Sequence, residues 1–210
     1  LGDGSEGENQ AAVSPYSQLM AASQPMVADQ VVHAWRFGQH RRMLDVGGGA
    51  GAFIAAVAKA APVLEFGLFD LPAVTAIGAR QLGEAGVRVT AHPGDFRNDP
   101  IPAGYDLITL VRILHDHDDD LAQSLLAKVR AALKPGDTLL IAEPMAGTPG
   151  AEAMADAYFG FYLLAMGSGR ARTPDEIGAM LDKAGFARWT ERRTGLPIVV
   201  CMEGGYGVPE

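Results

Sequence analysis

The chain has 210 residues, 48% of them hydrophobic and 20% charged, with a formal net charge of −8. That length suits one α/β domain with a sizeable core, and no apolar run approaches the roughly 20 residues of a membrane-spanning helix. The acidic balance argues against a nucleic-acid partner, because phosphate backbones need basic patches, and it suits a neutral or apolar small molecule.

The first ten residues are polar and glycine-rich and carry no signal-peptide pattern. A start at Leu1 rather than methionine predicts a missing upstream segment, so residues 1–14 read as a disordered or truncated lead-in to one domain over 15–210. The single cysteine, Cys201, has no internal disulfide partner and lies in an apolar stretch. It reads as a buried thiol in a reducing, cytoplasmic compartment.

From Tyr16 to about Phe37 apolar residues recur at helical spacing, with Pro25 expected to kink or restart the helix. A βαβ rhythm then sets in. Met43 to Val46 is a short strand, followed by a glycine turn and an alanine-rich helix to about Ala61. Leu64 to Phe69 is a second strand, and Pro72 opens a helix in the first-turn position that proline tolerates. Val87 to Ala91 and Tyr105 to Leu110 are the third and fourth strands. Leu121 to Leu133 is an amphipathic helix stopped by Lys134-Pro135-Gly136, and Thr138 to Ala142 is the fifth strand. A helix over Glu152 to Met166 follows. Thr173-Pro174-Asp175-Glu176 has the cap, proline and acids of a strong helix start, and Gly185 ends that helix. Residues 186–193 and 197–203 complete the chain as a strand hairpin.

Strands alternating with helices imply a doubly wound, mainly parallel sheet, of seven strands with an antiparallel hairpin at its end. Ligands of such sheets bind beyond the carboxyl ends of the strands, at the topological switch point. Chemistry-bearing residues cluster at those positions.

Asp45 and the glycines Gly47, Gly49 and Gly51 close the first strand and open the first helix of the βαβ rhythm. Alternate glycines let backbone approach a ligand without Cβ clashes. Gly47, Gly49 and Ala52 also satisfy the G-x-G-x-x-A pattern of nicotinamide enzymes, so both cofactor classes stay open at this point. Asp45 tips the balance, since an acid there repels a pyrophosphate and suits the ammonium of a methionine group. Asp70, at the end of the second strand, is placed to accept from both hydroxyls of a ribose, with capping of the next helix as the purely structural alternative. After the third strand, Asp95 is placed to accept from an adenine amino group and Phe96 to pack on the purine face.

Arg112-Ile113-Leu114-His115-Asp116 follows the fourth strand directly. An imidazole there points into the ligand crevice, and its proton affinity suits a general base for hydroxyl methylation near neutral pH. Glu143 ends the neighbouring strand and faces it, where a carboxylate can orient the ring. Asp118, Asp119 and Asp120 read as a helix-capping acidic cluster, and Asp116 reads equally as part of it. His33, His40, His92, His115 and His117 show no metal-site spacing, so no metal is expected.

The segments DVGGGAG, FDLP, GDF, ILHD and IAEP, in this order, resemble the plant-type small-molecule O-methyltransferases that use S-adenosylmethionine. Within that family, YSQLMAASQPMV, VRILHDHDDD and GSGRART look most like the bacterial carotenoid hydroxyl methylases, the hydroxyneurosporene or demethylspheroidene O-methyltransferases. The resemblance runs from about Tyr16 to Met202 and implies His115 as base, with Glu143 and Asp116 beside it. It implies a cofactor site of Asp45, Gly47, Gly49, Gly51, Asp70, Leu71, Asp95, Phe96 and Arg112. The acceptor pocket it implies is lined by Met20, Met154, Tyr158, Phe159, Tyr162 and Met166, residues whose bland reading is core packing.

An apolar hydroxylated acceptor, foremost a carotenoid, follows from the resemblance, with a polyketide or phenol as the alternative. A non-catalytic cofactor-binding homologue is a third reading. The resemblance also implies a parent homodimer built through an amino-terminal helical domain that this chain lacks, and loose membrane association through the substrate. Two departures stand out: His117 replaces the family's tryptophan, and Ala171 replaces a second glutamate before Arg172-Thr173.

Overall fold

A computed structural model describes residues 24–147, 169–194 and 199–205. The expected lead-in, Met20, and the helix over 152–166 with Met154, Tyr158, Phe159, Tyr162 and Met166 lie outside the described residues, as does the side chain of Cys201. The first helix, α1, is helical over 24–34, and Pro25 sits in its first described turn.

Seven strands among the described residues form one sheet: β1 (Arg42–Val46), β2 (Glu65–Asp70), β3 (Val89–Pro93), β4 (Leu107–Val111), β5 (Thr138–Pro144), β6 (Arg188–Arg193) and β7 (Val199–Gly205). Their order is β3-β2-β1-β4-β5-β7-β6. β1 to β5 pair in parallel, while β7 lies antiparallel between β5 and β6. The expected doubly wound, mainly parallel sheet is therefore the observed one, and β6 and β7 pair antiparallel as expected, with residues 195–198 between them outside the described residues.

From β1 the chain builds outward through β2 and β3, then returns to build β4 and β5 on β1's other side. The switch point lies between β1 and β4, and it opens a crevice at their carboxyl ends. The glycine turn after β1 and the His115 segment after β4 emerge at this edge.

Side-chain alternation along the strands separates two cores. Leu44, Val46, Ile108, Leu110, Leu139 and Ile141 pack beneath α4 (Asp119–Ala132) and α5 (Pro174–Ala184). Met43, Leu107, Leu140 and Ala142 face the other way, against α1, α2 (Ala52–Ala60) and Leu82 of α3 (Pro72–Glu84). Burial on both faces explains why these strands read as continuous apolar runs.

The helix signals match the local geometry. Thr173 and Glu176 form a reciprocal capping box, and Gly185 ends α5 with φ of 89°. Pro72 occupies the first turn of α3.

The third strand starts two residues later than expected, because Gly86 and Val87 close α3. Gly86, with φ of 76°, donates its N–H to Gly83, and Val87 donates to Leu82. This is a Schellman-type stop, which places an apolar residue after the glycine and imitates the start of a strand. Tyr105 likewise precedes β4 rather than beginning it. It is buried, with its hydroxyl 2.6 Å from His92 Nε2.

Candidate active site

The turn after β1 is held by positive-φ glycines: 69° at Gly47, 58° at Gly49 and 83° at Gly51, the last being the residue that enters α2. Gly47 donates to the Phe69 carbonyl at 2.8 Å, and Gly49 donates to Asp70 Oδ2 at 2.8 Å. Ile113 lies against Gly47 and leaves no room for a side chain, so the glycine turn touches the segment that carries His115. The Cβ position of Gly49, in contrast, is open.

Asp45 lies under this turn, 1% exposed. It stands opposite Thr109 in the β1–β4 register, and the Thr109 hydroxyl donates to Asp45 Oδ1 at 2.6 Å. Oδ2 is buried with no hydrogen-bond partner among the described residues. Burial, with a smaller push from the Asp70 charge and against the Thr109 bond, pushes the carboxyl up to about 7.

Asp70 does not cap α3 through its side chain. Its Oδ1 accepts the N–H of Leu71 at 2.7 Å, and the Thr75 hydroxyl donates to its backbone carbonyl at 2.6 Å. Its two carboxylate oxygens thus brace the glycine turn and the start of α3 together.

Asp95 is half-buried. It accepts from the Arg97 N–H at 2.9 Å and from Asn98 Nδ2 at 3.2 Å. Lys128 of α4 secures this loop by donating to the carbonyls of Phe96, Arg97 and Asp99 at 2.7 to 3.1 Å. Phe96 meets His117 edge-on, with ring centroids 5.2 Å apart. Burial and nearby Arg97 hold the His117 pKa below its usual value.

Arg112 turns the chain out of β4 with φ of 59°, a conformation costly for a side-chain-bearing residue. Its Nη1 donates to Gln24 Oε1 at 3.0 Å. A short 3-10 turn, Leu114–Asp116, follows.

Glu143, 2% exposed at the end of β5, organises this turn. Its Oε1 accepts the N–H groups of Ile113 and Leu114, each at 2.7 Å. Its Oε2 meets His115 Nδ1 at 2.5 Å. A carboxylate at Nδ1 keeps the proton on that nitrogen and gives Nε2 the acceptor role. Nε2 lies 3.3 Å from Asp116 Oδ1.

His115 is 3% exposed, and burial opposes its charge. The charge and hydrogen bond of Glu143, followed by the charge of Asp116, outweigh burial and the nearby Arg112, so its pKa lies above 6.5. Burial also raises the Asp116 carboxyl above its usual range.

The structure thus brings Asp45, the glycine turn, Asp70, Arg112, His115, Asp116 and Glu143 to one sheet edge. Chemically, it offers an open backbone turn flanked by carboxylates and a buried imidazole oriented to accept a proton.

The chain matches the family described as an O-methyltransferase domain over residues 4–187. It belongs to that family.

This O-methyltransferase domain is 48% identical over 187 residues to the demethylspheroidene O-methyltransferase of Rhodobacter capsulatus, a match covering 89% of the chain and 47% of that protein. It is 45% identical over 174 residues to the demethylspheroidene O-methyltransferase of Cereibacter sphaeroides, covering 82% and 46%. The chain therefore spans about half the length of the curated relatives it matches. Among solved structures it resembles human N-acetylserotonin methyltransferase in complex with SAM, with a TM-score of 0.75 and 27% identity over 97% of this chain and 57% of that one. Family membership decides between the two cofactor classes that the glycine pattern left open.

Sequence reading passed over two contributors to this O-methyltransferase domain. Gly78 of α3 packs against the Gly49 carbonyl and Leu68, and a Cβ there would collide with both. Arg172, 2% exposed, donates into the His115 turn. The glycine at a helix position expected to carry a side chain was the available signal for the first. The second had only its place in GSGRART.

Proposed function

We propose that this chain is the cofactor-binding and catalytic part of an S-adenosylmethionine-dependent O-methyltransferase acting on a hydroxyl of an apolar small molecule, foremost a hydroxylated carotenoid. The observation that carries this reading is the buried His115–Glu143 pair at the switch-point edge, beside a glycine turn with an open face. The names of the two bacterial relatives support the acceptor class.

The residues present fit the nucleoside. Gly47, Gly49 and Gly51 offer backbone without side chains, and the open Cβ position at Gly49 is space that a ligand can take. Asp70 retains lone pairs for ribose hydroxyls beyond those it spends on Gly49 and Leu71. Leu71, which is half exposed, Asp95 and Phe96 would hold the adenine, and Arg112, buried at the end of β4, would border the same site. Asp45 lies beneath the turn with its buried Oδ2 unpartnered among the described residues, and once ionised it would suit the ammonium of the methionine group. When bound, S-adenosylmethionine supplies a methyl group made electrophilic by its sulfonium.

In this reading His115 Nε2 would take the proton of the acceptor hydroxyl; the methyl group gained by that oxygen would leave the bound cofactor's sulfur, with S-adenosylhomocysteine as the product. An aliphatic alcohol is a poor acid, so proton removal accompanies bond formation instead of preceding it. Glu143 holds the ring and stabilises it once charged. Asp116, beside Nε2, yields that position to the acceptor. No described helix is long and apolar enough to cross a membrane, and no described group of three or more His, Cys, Asp or Glu is arranged for a metal. Dimerisation through a further domain of the parent belongs to the same proposal.

The test is incubation of the full-length parent with methyl-labelled S-adenosylmethionine and hydroxylated carotenoids. Label in a carotenoid methyl ether is the expected result. Label only in a phenol or polyketide overturns the acceptor, and failure to bind the cofactor overturns the activity.

A further inference from the structure

One buried cation has no part in the chemistry above. Arg172 precedes the capping residue Thr173 of α5 and is 2% exposed. Its Nη1 donates to the Leu114 carbonyl at 2.6 Å and its Nη2 to the His117 carbonyl at 2.7 Å. Its Nε donates to Asp119 Oδ1 at 2.9 Å. The planar guanidinium therefore grips the 3-10 turn at its first residue and just past its last, with the imidazole between.

The Arg172 carbonyl also accepts the N–H of Ala146 at 3.0 Å, just beyond β5, the strand that supplies Glu143. Gly169, with φ of 87°, lies against the carbonyls of His115 and Asp116, where a side chain has no space. Its N–H donates to Asp118 Oδ1 at 3.2 Å. Base and carboxylate, 28 residues apart in sequence, are thus both referenced to one arginine. Burying a guanidinium against two neutral carbonyls and one exposed carboxylate is a poor source of stability, because the desolvation cost is high. What the rigid fork supplies is geometry: its donors leave in fixed directions.

We propose that Arg172 is a positioning residue that fixes the backbone of 114–117, so that the His115 ring meets Glu143 with its second nitrogen directed at the acceptor. The proposal rests on the reading of His115 as the base, yet its physical content, the alignment of one ring with one carboxylate, is measurable without turnover. Burial lowers the ring's proton affinity, Glu143 and Asp116 hold it up against that, and Arg112 opposes them. Slackening the turn should weaken the Glu143 contribution first, because that contact is the shortest.

Arg172→Met and Arg172→Lys, made in the full-length protein, test this by NMR titration of His115, steady-state kinetics and cofactor binding. For Arg172→Met, the expected result is a His115 pKa lowered toward 6.5, kcat down ~10- to 100-fold, the cost of a misplaced catalytic group, and cofactor Kd changed less than about twofold. Arg172→Lys keeps the charge and loses the fork, so a smaller shift in the same directions is expected. A purely structural role lowers the melting temperature and leaves the His115 titration of the folded protein unchanged. That outcome in either variant, with normal kcat, overturns the proposal, and the lysine variant serves where the methionine variant does not fold. If His115→Ala retains turnover while Arg172→Met still lowers the His115 pKa, the base reading fails and the positioning role stands.

Discussion

Glu143 holds His115 at Nδ1 with one carboxylate oxygen, 2.5 Å away, and with the other gathers the N–H groups of Ile113 and Leu114. One side chain therefore sets the turn, the ring orientation and the tautomer. The pair is 2% to 3% exposed, so its interaction is little screened.

Removing the imidazole separates binding from chemistry. His115→Ala is expected to cut kcat by at least ~100-fold, the scale of a general base, and to leave cofactor affinity within about twofold. Calorimetry and steady-state kinetics on the same preparation measure both. Near-normal turnover removes His115 from the mechanism.

Glu143→Gln should lower the His115 pKa, since the charge and strong hydrogen bond that raise it are lost. On the proposal that His115 is the base, the acid limb of kcat/KM is expected above pH 6.5 in the unsubstituted protein and at lower pH in Glu143→Gln. Linkage gives a second readout. A raised histidine pKa contributes stability that is fully present below 6.5 and is lost as pH rises through the folded value. That window should flatten in Glu143→Gln. Glu143→Ala also strands the buried N–H of Leu114 and the part-buried N–H of Ile113, and about 3 to 5 kcal/mol of stability should go with it.

Asp45 imposes its own pH dependence. Unfolded, it titrates near 3.8; folded, at about 7. Between those values the native state keeps a proton that the unfolded chain has released, so this group's contribution is complete below 3.8 and is lost as pH rises through 7. The full span is at most about 4 kcal/mol, by the scale of 1.4 per pH unit. Asp45→Asn retains an acceptor for Thr109 and has nothing to ionise. Its melting temperature is expected to fall less than the parent's between pH 5 and pH 8. Parallel curves would remove Asp45 as the source.

Gly78→Ala drives a methyl group into the Gly49 carbonyl and Leu68. Overpacking of this kind costs about 1 to 3 kcal/mol, and here the strain enters the glycine turn itself. Weaker cofactor binding should therefore accompany the lower melting temperature. A stability loss with unchanged affinity would show that α3 yields instead of the turn.

Much of this molecule was readable residue by residue. Alternate glycines after a strand, proline in a first turn, the Thr173–Glu176 cap and the Gly185 stop each act over a few residues, through φ preferences and short hydrogen bonds. Parallel strands buried on both faces announce themselves as apolar runs, so the sheet followed from the rhythm alone. His115 and Glu143 were legible as a pair because strand ends in such a sheet share one edge. The start of β3 was not: Val87 has the apolar character of a strand residue and serves as a helix stop, a choice made by the Leu82 carbonyl it reaches.

The remainder was decided by contacts between distant parts of the chain. An arginine in a loop carries no mark distinguishing a solvated charge from a buried one. Arg172 is buried because Leu114, His117 and Asp119 converge on it from more than fifty residues away. Asp45 has an elevated proton affinity because the packing of β1 against β4 and the glycine turn excludes water from one of its oxygens. Desolvation is a property of the assembled interior: local patterns supply the elements, and only their packing sets how strongly a buried charge is felt.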